Sequence, residues 1–84
     1  MRASKILAAA KATPKSITFA DLRRLVAAAG FVIDRHHGDH EIYIADGIPE
    51  IINLQPRKGD RRMAKAYQVE QVIEIVERYG IEVE

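Results

Sequence analysis

A histidine that directly follows a glycine-aspartate pair is the feature of this sequence best suited to chemistry. Gly38, Asp39 and His40 stand between two apolar runs, residues 31–35 and residues 41–45. Glycine adopts positive φ without steric cost, so Gly-Asp is typical of a tight turn between two strands. The sequence therefore predicts that His40 lies at the mouth of a hairpin, on the rim of a sheet. Because histidine titrates near neutrality, an imidazole in this position is suited to proton transfer.

The second feature is a dense group of cations between residues 57 and 65. It contains five basic residues opposed only by Asp60: Arg57, Lys58, Arg61, Arg62 and Lys65. The formal net charge of the chain is +1, but residues 1–66 carry twelve Lys or Arg against seven Asp or Glu, whereas residues 67–84 carry one against five. A local positive potential attracts a polyanion even when the net charge is small. A solvated loop explains the same run, and the expected proximity to His40 is what favours phosphate binding.

Together these features suit proton transfer on a phosphodiester. RNA carries its own nucleophile, the 2′-hydroxyl, so cleavage needs a base, an acid for the 5′-oxygen and positive charge for the phosphorane. His40 is the candidate proton-transfer residue, a role typically worth about 10²–10⁴-fold in rate. Lys58, Arg57 and Lys65 are candidate phosphate ligands. Tyr43 is a candidate for stacking on a base, although a half-buried tyrosine with a satisfied hydroxyl fits its strand position equally well.

Other kinds of site are disfavoured by composition or spacing. The 84 residues include no cysteine, so a disulfide framework and a thiolate metal site are both excluded. His36, His37 and His40 are a conceivable metal cluster, but adjacent strand residues point to opposite faces, and we predict neither a metal nor a small-molecule cofactor. No window has the uncharged apolar length of a membrane span, and Lys11 and Lys15 interrupt the N-terminal apolar stretch too early for a signal peptide. We therefore expect no membrane association and a cytoplasmic location.

The helices predicted around these residues have clear boundaries. Residues 4–12 are rich in alanine, which favours helix. Residues 19–29 follow Thr18, a predicted N-cap, and precede Gly30, a predicted stop. Arg23 falls off the apolar face of this helix and is expected to be exposed. The last helix has the clearest apolar stripe, formed by Val69, Val72, Ile73, Val76 and Tyr79.

The strand candidates lie between the second and the last helix. They are residues 31–36, 41–45 and 50–54, with turns at 37–39 and 46–49. Turns this short require antiparallel pairing. The order α-α-β-β-β-α thus predicts a single α+β domain over residues 1–84, in which helices cover one face of a three-stranded antiparallel meander. Its core occupies residues 18–80, and an additional N-terminal helix within residues 1–14 packs Ile6 and Leu7 against that core.

Several short motifs occur in a defined order along the chain. They are Gly-Phe, Gly-x-His at the hairpin, Ile-Tyr, Pro-Glu-Ile-Ile-Asn-Leu-Gln, a basic loop and Lys-Ala-Tyr-Gln-Val-x-Gln-Val. This order resembles the HicA family of bacterial toxins, in particular a longer subgroup with an extra N-terminal helix. The resemblance implies a fold similar to double-stranded-RNA-binding domains, a ribonuclease that cleaves mRNA with His40 as its catalytic residue, and a HicB-like antitoxin as protein partner. We expect that antitoxin to cover the His40 rim and residues 57–65.

The sequence departs from the family pattern at three positions. Asp39 replaces the serine of the usual Gly-Ser-His, Glu41 stands where a second histidine is common, and Ala66 stands where proline is frequent. The Asp39 carboxylate has two opposite possible effects: it favours a protonated, oriented imidazole, or it repels the phosphate. Two other functions therefore stay open, a non-catalytic RNA-binding module and a degenerate protein that only binds the antitoxin.

Overall fold

Three α-helices pack on one face of a three-stranded antiparallel sheet, and a second hairpin precedes the last helix. The structure is a computed structural model that describes residues 2–84. Its elements are α1 (Ala3–Ala12), a 3-10 turn (Pro14–Ser16), α2 (Phe19–Ala28), β1 (Val32–His37), β2 (His40–Ala45), β3 (Ile48–Leu54), β4 (Pro56–Arg57), β5 (Asp60–Ala64) and α3 (Ala66–Arg78). The order α-α-β-β-β-α predicted from the sequence is confirmed. The radius of gyration, 11.7 Å, is close to the value of about 12 Å expected for one compact unit of this length.

The two N-terminal helices begin and pack as their sequences predict. The side-chain oxygen of Thr18 accepts a hydrogen bond from the Asp21 amide at 3.1 Å, which caps α2. In α1, Ile6 is fully buried in the core, and Leu7 packs against that core while partly exposed. The N-terminal helix is therefore an integral layer of the fold. Within residues 2–84, no helix has both the length and the apolar character needed to cross a bilayer.

The sheet has the order β1-β2-β3, with both neighbouring pairs antiparallel. The side chains of Tyr43, Ile52 and Leu54 face the helices and belong to the hydrophobic core. On the other face, Ile44 and Ile51 are exposed. Because side chains alternate along a strand, one face of the meander is covered and the other is open.

The turn between β1 and β2 contains the predicted Gly-Asp pair, but it is shorter than the predicted turn of residues 37–39, because His37 belongs to β1. His37 pairs with His40, so Gly38 and Asp39 form a two-residue turn, and Gly38 has φ +63°. Glycine tolerates this backbone conformation, whereas a side chain would strain it. His40 thus lies at the rim of the sheet, as predicted, and is itself the first residue of β2, whereas the strand was predicted to begin at residue 41.

The turn between β2 and β3 is shorter than predicted. Ile48 already pairs with Ala45, so only Asp46 and Gly47 separate the strands, and the prediction that residues 46–49 form the turn was wrong. Pro49 lies inside β3. An edge strand accommodates it because the missing N–H would face solvent.

The basic segment is a hairpin rather than a loop. Pro56 pairs with Ala64 and Arg57 with Asp60. The Ala64 amide donates to the Ile17 carbonyl at 3.0 Å, which attaches β5 to the segment that leads into α2. The sequence gives little sign of these strands because both are short and polar.

Candidate functional site

His40 is half-buried at the start of β2, and its ring is held by one hydrogen bond. Its Nδ1 lies 2.8 Å from Oδ1 of Asn53 on β3. An amide oxygen only accepts hydrogen bonds, so this contact favours the tautomer with the proton on Nδ1 and the lone pair on Nε2. Asn53 was not among the predicted site residues. Its place in the Asn-Leu-Gln motif was visible, but the register that brings it to His40 was not.

A shallow groove on the open face of the sheet contains this imidazole. Its volume is about 380 Å³, within the range of roughly 300–1,000 Å³ typical of small-ligand sites. The lining comprises two imidazoles, a guanidinium, an amide and two aliphatic side chains: His37, His40, Arg35, Asn53, Ile42 and Ile51. The groove therefore combines proton-transfer groups, a positive charge and an apolar floor.

Asp39 is directed towards the second hairpin. Its Oδ1 accepts a hydrogen bond from Gln55 Nε2 at 2.9 Å, and its Oδ2 lies 3.3 Å from Nη1 of Arg61. The Gln55 hydrogen bond, and after it the one from Arg61, lowers the pKa of Asp39. The ring of His40 is thus oriented by Asn53, and the negative charge next to it in sequence is balanced by a cation from β5.

Gln55 connects the histidine rim to the basic hairpin. Besides binding Asp39, its side-chain oxygen accepts a hydrogen bond from Nζ of Lys65. Lys65 and Arg61 therefore lie beside the β1–β2 turn, and the expected proximity between this basic segment and the His40 rim is present in the fold. Arg61 was counted in the basic run but was not predicted as a site residue.

Arg57 and Lys58 occupy different environments. The guanidinium of Arg57 donates to the Ala64 carbonyl at 3.1 Å and to the Lys15 carbonyl at 2.7 Å, which ties the hairpin to the 3-10 turn. Lys58 is exposed at the tip of the hairpin. Of the three predicted phosphate ligands, Lys58 is exposed, Lys65 is half-buried and donates to Gln55, and Arg57 already binds two backbone oxygens.

The structure favours the second interpretation of Tyr43, that of a satisfied tyrosine. The residue is only 8% exposed and its ring belongs to the core on the helix-covered face. Its hydroxyl donates to Oε1 of Glu41 at 2.8 Å. Burial, and then this hydrogen bond, raises the pKa of Tyr43 to about 12. Stacking on a base needs an exposed ring, so the prediction that Tyr43 stacks on a base was wrong. Tyr43 instead helps to anchor β2 on the face of the sheet that the helices cover.

Glu41 forms the other half of that anchor. Its carboxylate is buried and accepts hydrogen bonds from Nε of Arg23, at 3.0 Å, and from Nη2 of the same guanidinium. The Arg23 hydrogen bond is the largest cause of the lowered pKa of Glu41. Arg23 also lies over the Phe19 ring, 4.4 Å from its centroid. Arg23 is half exposed, as predicted, but its charged end is fixed.

The three histidines do not share a face. His36 pairs with Glu41, and His37 pairs with His40, so the first projects from the covered face and the other two from the open face. In the part of the chain that the structure describes, no group of three or more His, Asp or Glu side chains is arranged to hold a metal ion.

No known family, curated protein or solved structure matches this chain. The function is therefore argued from the site itself, together with the motif resemblance noted in the sequence.

Proposed function

We propose that this protein is a HicA-like toxin, an endoribonuclease that cleaves mRNA without a metal and uses His40 as its proton-transfer residue. The observation that carries the proposal is the contact between His40 and Asn53. It orients the imidazole in a surface groove and leaves Nε2 to exchange protons. Arg61, which pairs with Asp39, and Lys65, which donates to Gln55, add positive charge beside the β1–β2 turn.

The reaction suits these groups. The imidazole removes the proton of the ribose 2′-hydroxyl, and the oxygen attacks the adjacent phosphorus. The bond from phosphorus to the 5′-oxygen then breaks and that oxygen gains a proton, which leaves a 2′,3′-cyclic phosphate and a 5′-hydroxyl. Lys58 and Lys65 attract the phosphate backbone, and their charge favours the phosphorane over the substrate.

The partners follow from the same proposal. The substrate is mRNA, which places the protein in the cytoplasm. A HicB-like antitoxin inhibits it by covering the His40 groove together with β4 and β5, since hiding both prevents RNA from docking. A complex in which that rim stays open would contradict this part of the proposal.

The decisive experiment compares His40→Ala with His36→Ala. Both residues lie at the same end of the β1–β2 hairpin, but His36 projects from the opposite face, so its variant is a matched control. With an RNA substrate and EDTA present, we expect His40→Ala to slow cleavage by about 10²–10⁴-fold and His36→Ala to behave as wild type. The cleaved 5′ fragment should end in a cyclic phosphate.

The growth of bacteria that express the same variants is an independent test. We expect the wild type and His36→Ala to arrest growth and His40→Ala to permit it. Equal toxicity of wild type and His40→Ala, with RNA bound but not cleaved by either, would instead identify a non-catalytic RNA-binding module. Absence of both toxicity and RNA binding would identify a degenerate protein.

A further inference from the structure

His37 is a second imidazole in the groove, and the reaction described above gives it no role. It is the last residue of β1 and pairs with His40 directly across the two-residue turn. Residues that face each other in this way have Cβ atoms about 4.5–5.5 Å apart and project from the same face of the sheet. Both imidazoles line the same groove, so one phosphodiester can contact both.

Building on the proposed function, we propose that His37 is the general acid that protonates the 5′-oxygen, while His40 is the base for the 2′-hydroxyl. The hydrogen bonds indicate which of the two imidazoles is the base and which is the acid. Asn53 holds the Nδ1 proton of His40 and leaves the Nε2 lone pair for the substrate. His37 is exposed and makes no side-chain hydrogen bond among residues 2–84, so its ring is accessible to the 5′-oxygen of a substrate.

The geometry of the reaction also favours two groups. In an in-line displacement the attacking and leaving oxygens are at opposite ends of the phosphorane, so a single small ring reaches both only by moving. Two imidazoles on adjacent strands flank the phosphate. Arg35 lies two residues before His37, lines the same groove, and provides a positive charge for the equatorial oxygens.

The proposed step is balanced. Nε2 of His40 takes the 2′-hydroxyl proton as the new oxygen–phosphorus bond forms. The bond to the 5′-oxygen breaks, and the His37 imidazolium transfers its proton to that oxygen. The products are a cyclic phosphate, a 5′-hydroxyl, a protonated His40 and a neutral His37, and exchange with water restores both rings.

A substrate with an activated leaving group tests the assignment. An RNA oligonucleotide cleaved by the wild type is compared with the same oligonucleotide carrying sulfur in place of the 5′-oxygen at the cleaved bond. A thiolate leaves without a proton. We expect His37→Ala to slow cleavage of the oxygen substrate by about 10²–10⁴-fold but to cleave the sulfur substrate at close to the wild-type rate. His40→Ala should be slow on both substrates.

The dependence of rate on pH provides a second readout. The wild type should show a bell-shaped profile, because the base must be neutral and the acid protonated. Arg35 on β1 lines the same groove and pairs with Asp34, and Asp39, next to His40 in the turn, pairs with Arg61 of β5. These charges are unchanged in His37→Ala, so removal of the acid should abolish only the fall in rate at high pH.

The outcomes separate this inference from the function on which it rests. If the wild type cleaves RNA and His37→Ala is equally active on the oxygen substrate, the inference is wrong and the proposed function stands. If His37→Ala loses equal activity on both substrates, His37 acts in binding or packing and is not the acid. If the wild type cleaves neither substrate, the proposed function fails and the assignment of His37 fails with it.

Discussion

Replacement of Glu41 by glutamine is expected to destabilise the protein more than the replacement of an exposed carboxylate would. The Glu41 side chain is 9% exposed, whereas that of its partner Arg23 is 49% exposed. Its carboxylate accepts two hydrogen bonds from the guanidinium and a third from the Tyr43 hydroxyl. An amide keeps the size of the side chain and one acceptor oxygen, but it turns an N–H group towards Arg23 or Tyr43.

The magnitude follows from the number and type of bonds lost. A hydrogen bond to a charged group contributes roughly 1.5–3 kcal/mol net, against roughly 0.5–1.5 kcal/mol for a neutral pair. Since Arg23 is half exposed, water replaces part of the lost interaction. We therefore expect Glu41→Gln to lower the free energy of unfolding by about 2 kcal/mol. In a domain of this size that loss corresponds to a fall in Tm of about 8–16 °C.

Urea unfolding at neutral pH measures this free energy directly. Glu74→Gln is the matched control because Glu74 pairs with Arg78 on the exposed surface of α3, and it should leave the urea midpoint almost unchanged. In a double-mutant cycle, Arg23→Gln should cost less in the Glu41→Gln background than in the wild type. Equal urea midpoints for Glu41→Gln and the wild type would refute the reasoning.

The effect of pH supplies a separate check on the same carboxylate. The pKa of Glu41 is lowered in the folded state, chiefly by the Arg23 hydrogen bond. A lowered folded pKa means that the charged form contributes stability above the unfolded pKa, about 4.3 for glutamate, and that this contribution is lost as the pH falls through the folded value. The difference in stability between wild type and Glu41→Gln should thus be full at neutral pH and shrink below about pH 4.

Four further substitutions, at three residues, test the site and the hairpin beside it. Asn53→Ala should lower kcat by about 10–100-fold with KM nearly unchanged, because it removes the group that orients His40. Asn53→Asp should restore much of the rate. It should also move the acid limb of the pH profile to higher pH, since a carboxylate favours the imidazolium form. Lys58→Gln should weaken RNA binding and reduce the slope of log affinity against log salt by about 0.7 without changing stability. Arg57→Gln should instead lower the free energy of unfolding by about 1–2 kcal/mol, because its guanidinium binds two carbonyls. A reversed pattern, with Arg57 governing the salt slope and Lys58 the stability, would contradict the placement of both residues.

The features that the sequence predicts well are local ones. The N-cap at Thr18 and the turn at Gly38 and Asp39 depend on residues that are neighbours in the chain, and both are confirmed. Most of the apolar stripe of the last helix is confirmed, with Val69, Val72 and Val76 buried and Ile73 partly buried. Tyr79, which was predicted in the same stripe, is instead exposed and caps the end of the helix. Periodicity and turn chemistry are sufficient for such elements because they involve few distant contacts.

The features that the sequence does not predict depend on contacts between distant segments. The β4–β5 hairpin has no alternating apolar pattern, and Arg57 and the bridge from Ala64 to Ile17 attach it to the N-terminal half. Asn53 meets His40 only because of the register of β3 against β2. Tyr43 alternates with two isoleucines, so its burial depends on which face the helices cover. Single-sequence patterns contain no information on these pairings.

The position of the buried Glu41 also explains how the groove is kept in place. Glu41 and His40 are adjacent in β2, so their side chains project from opposite faces, and whatever fixes one face fixes the other. A hairpin end is normally where pairing frays, yet here Arg23 and Tyr43 hold the second residue of the strand from the core side. A slip of one residue would bury the imidazole and expose the carboxylate, at the cost of the ion pair and of the hydroxyl bond. We therefore expect the ion pair on the covered face to stabilise the register that keeps His37 and His40 on the open face.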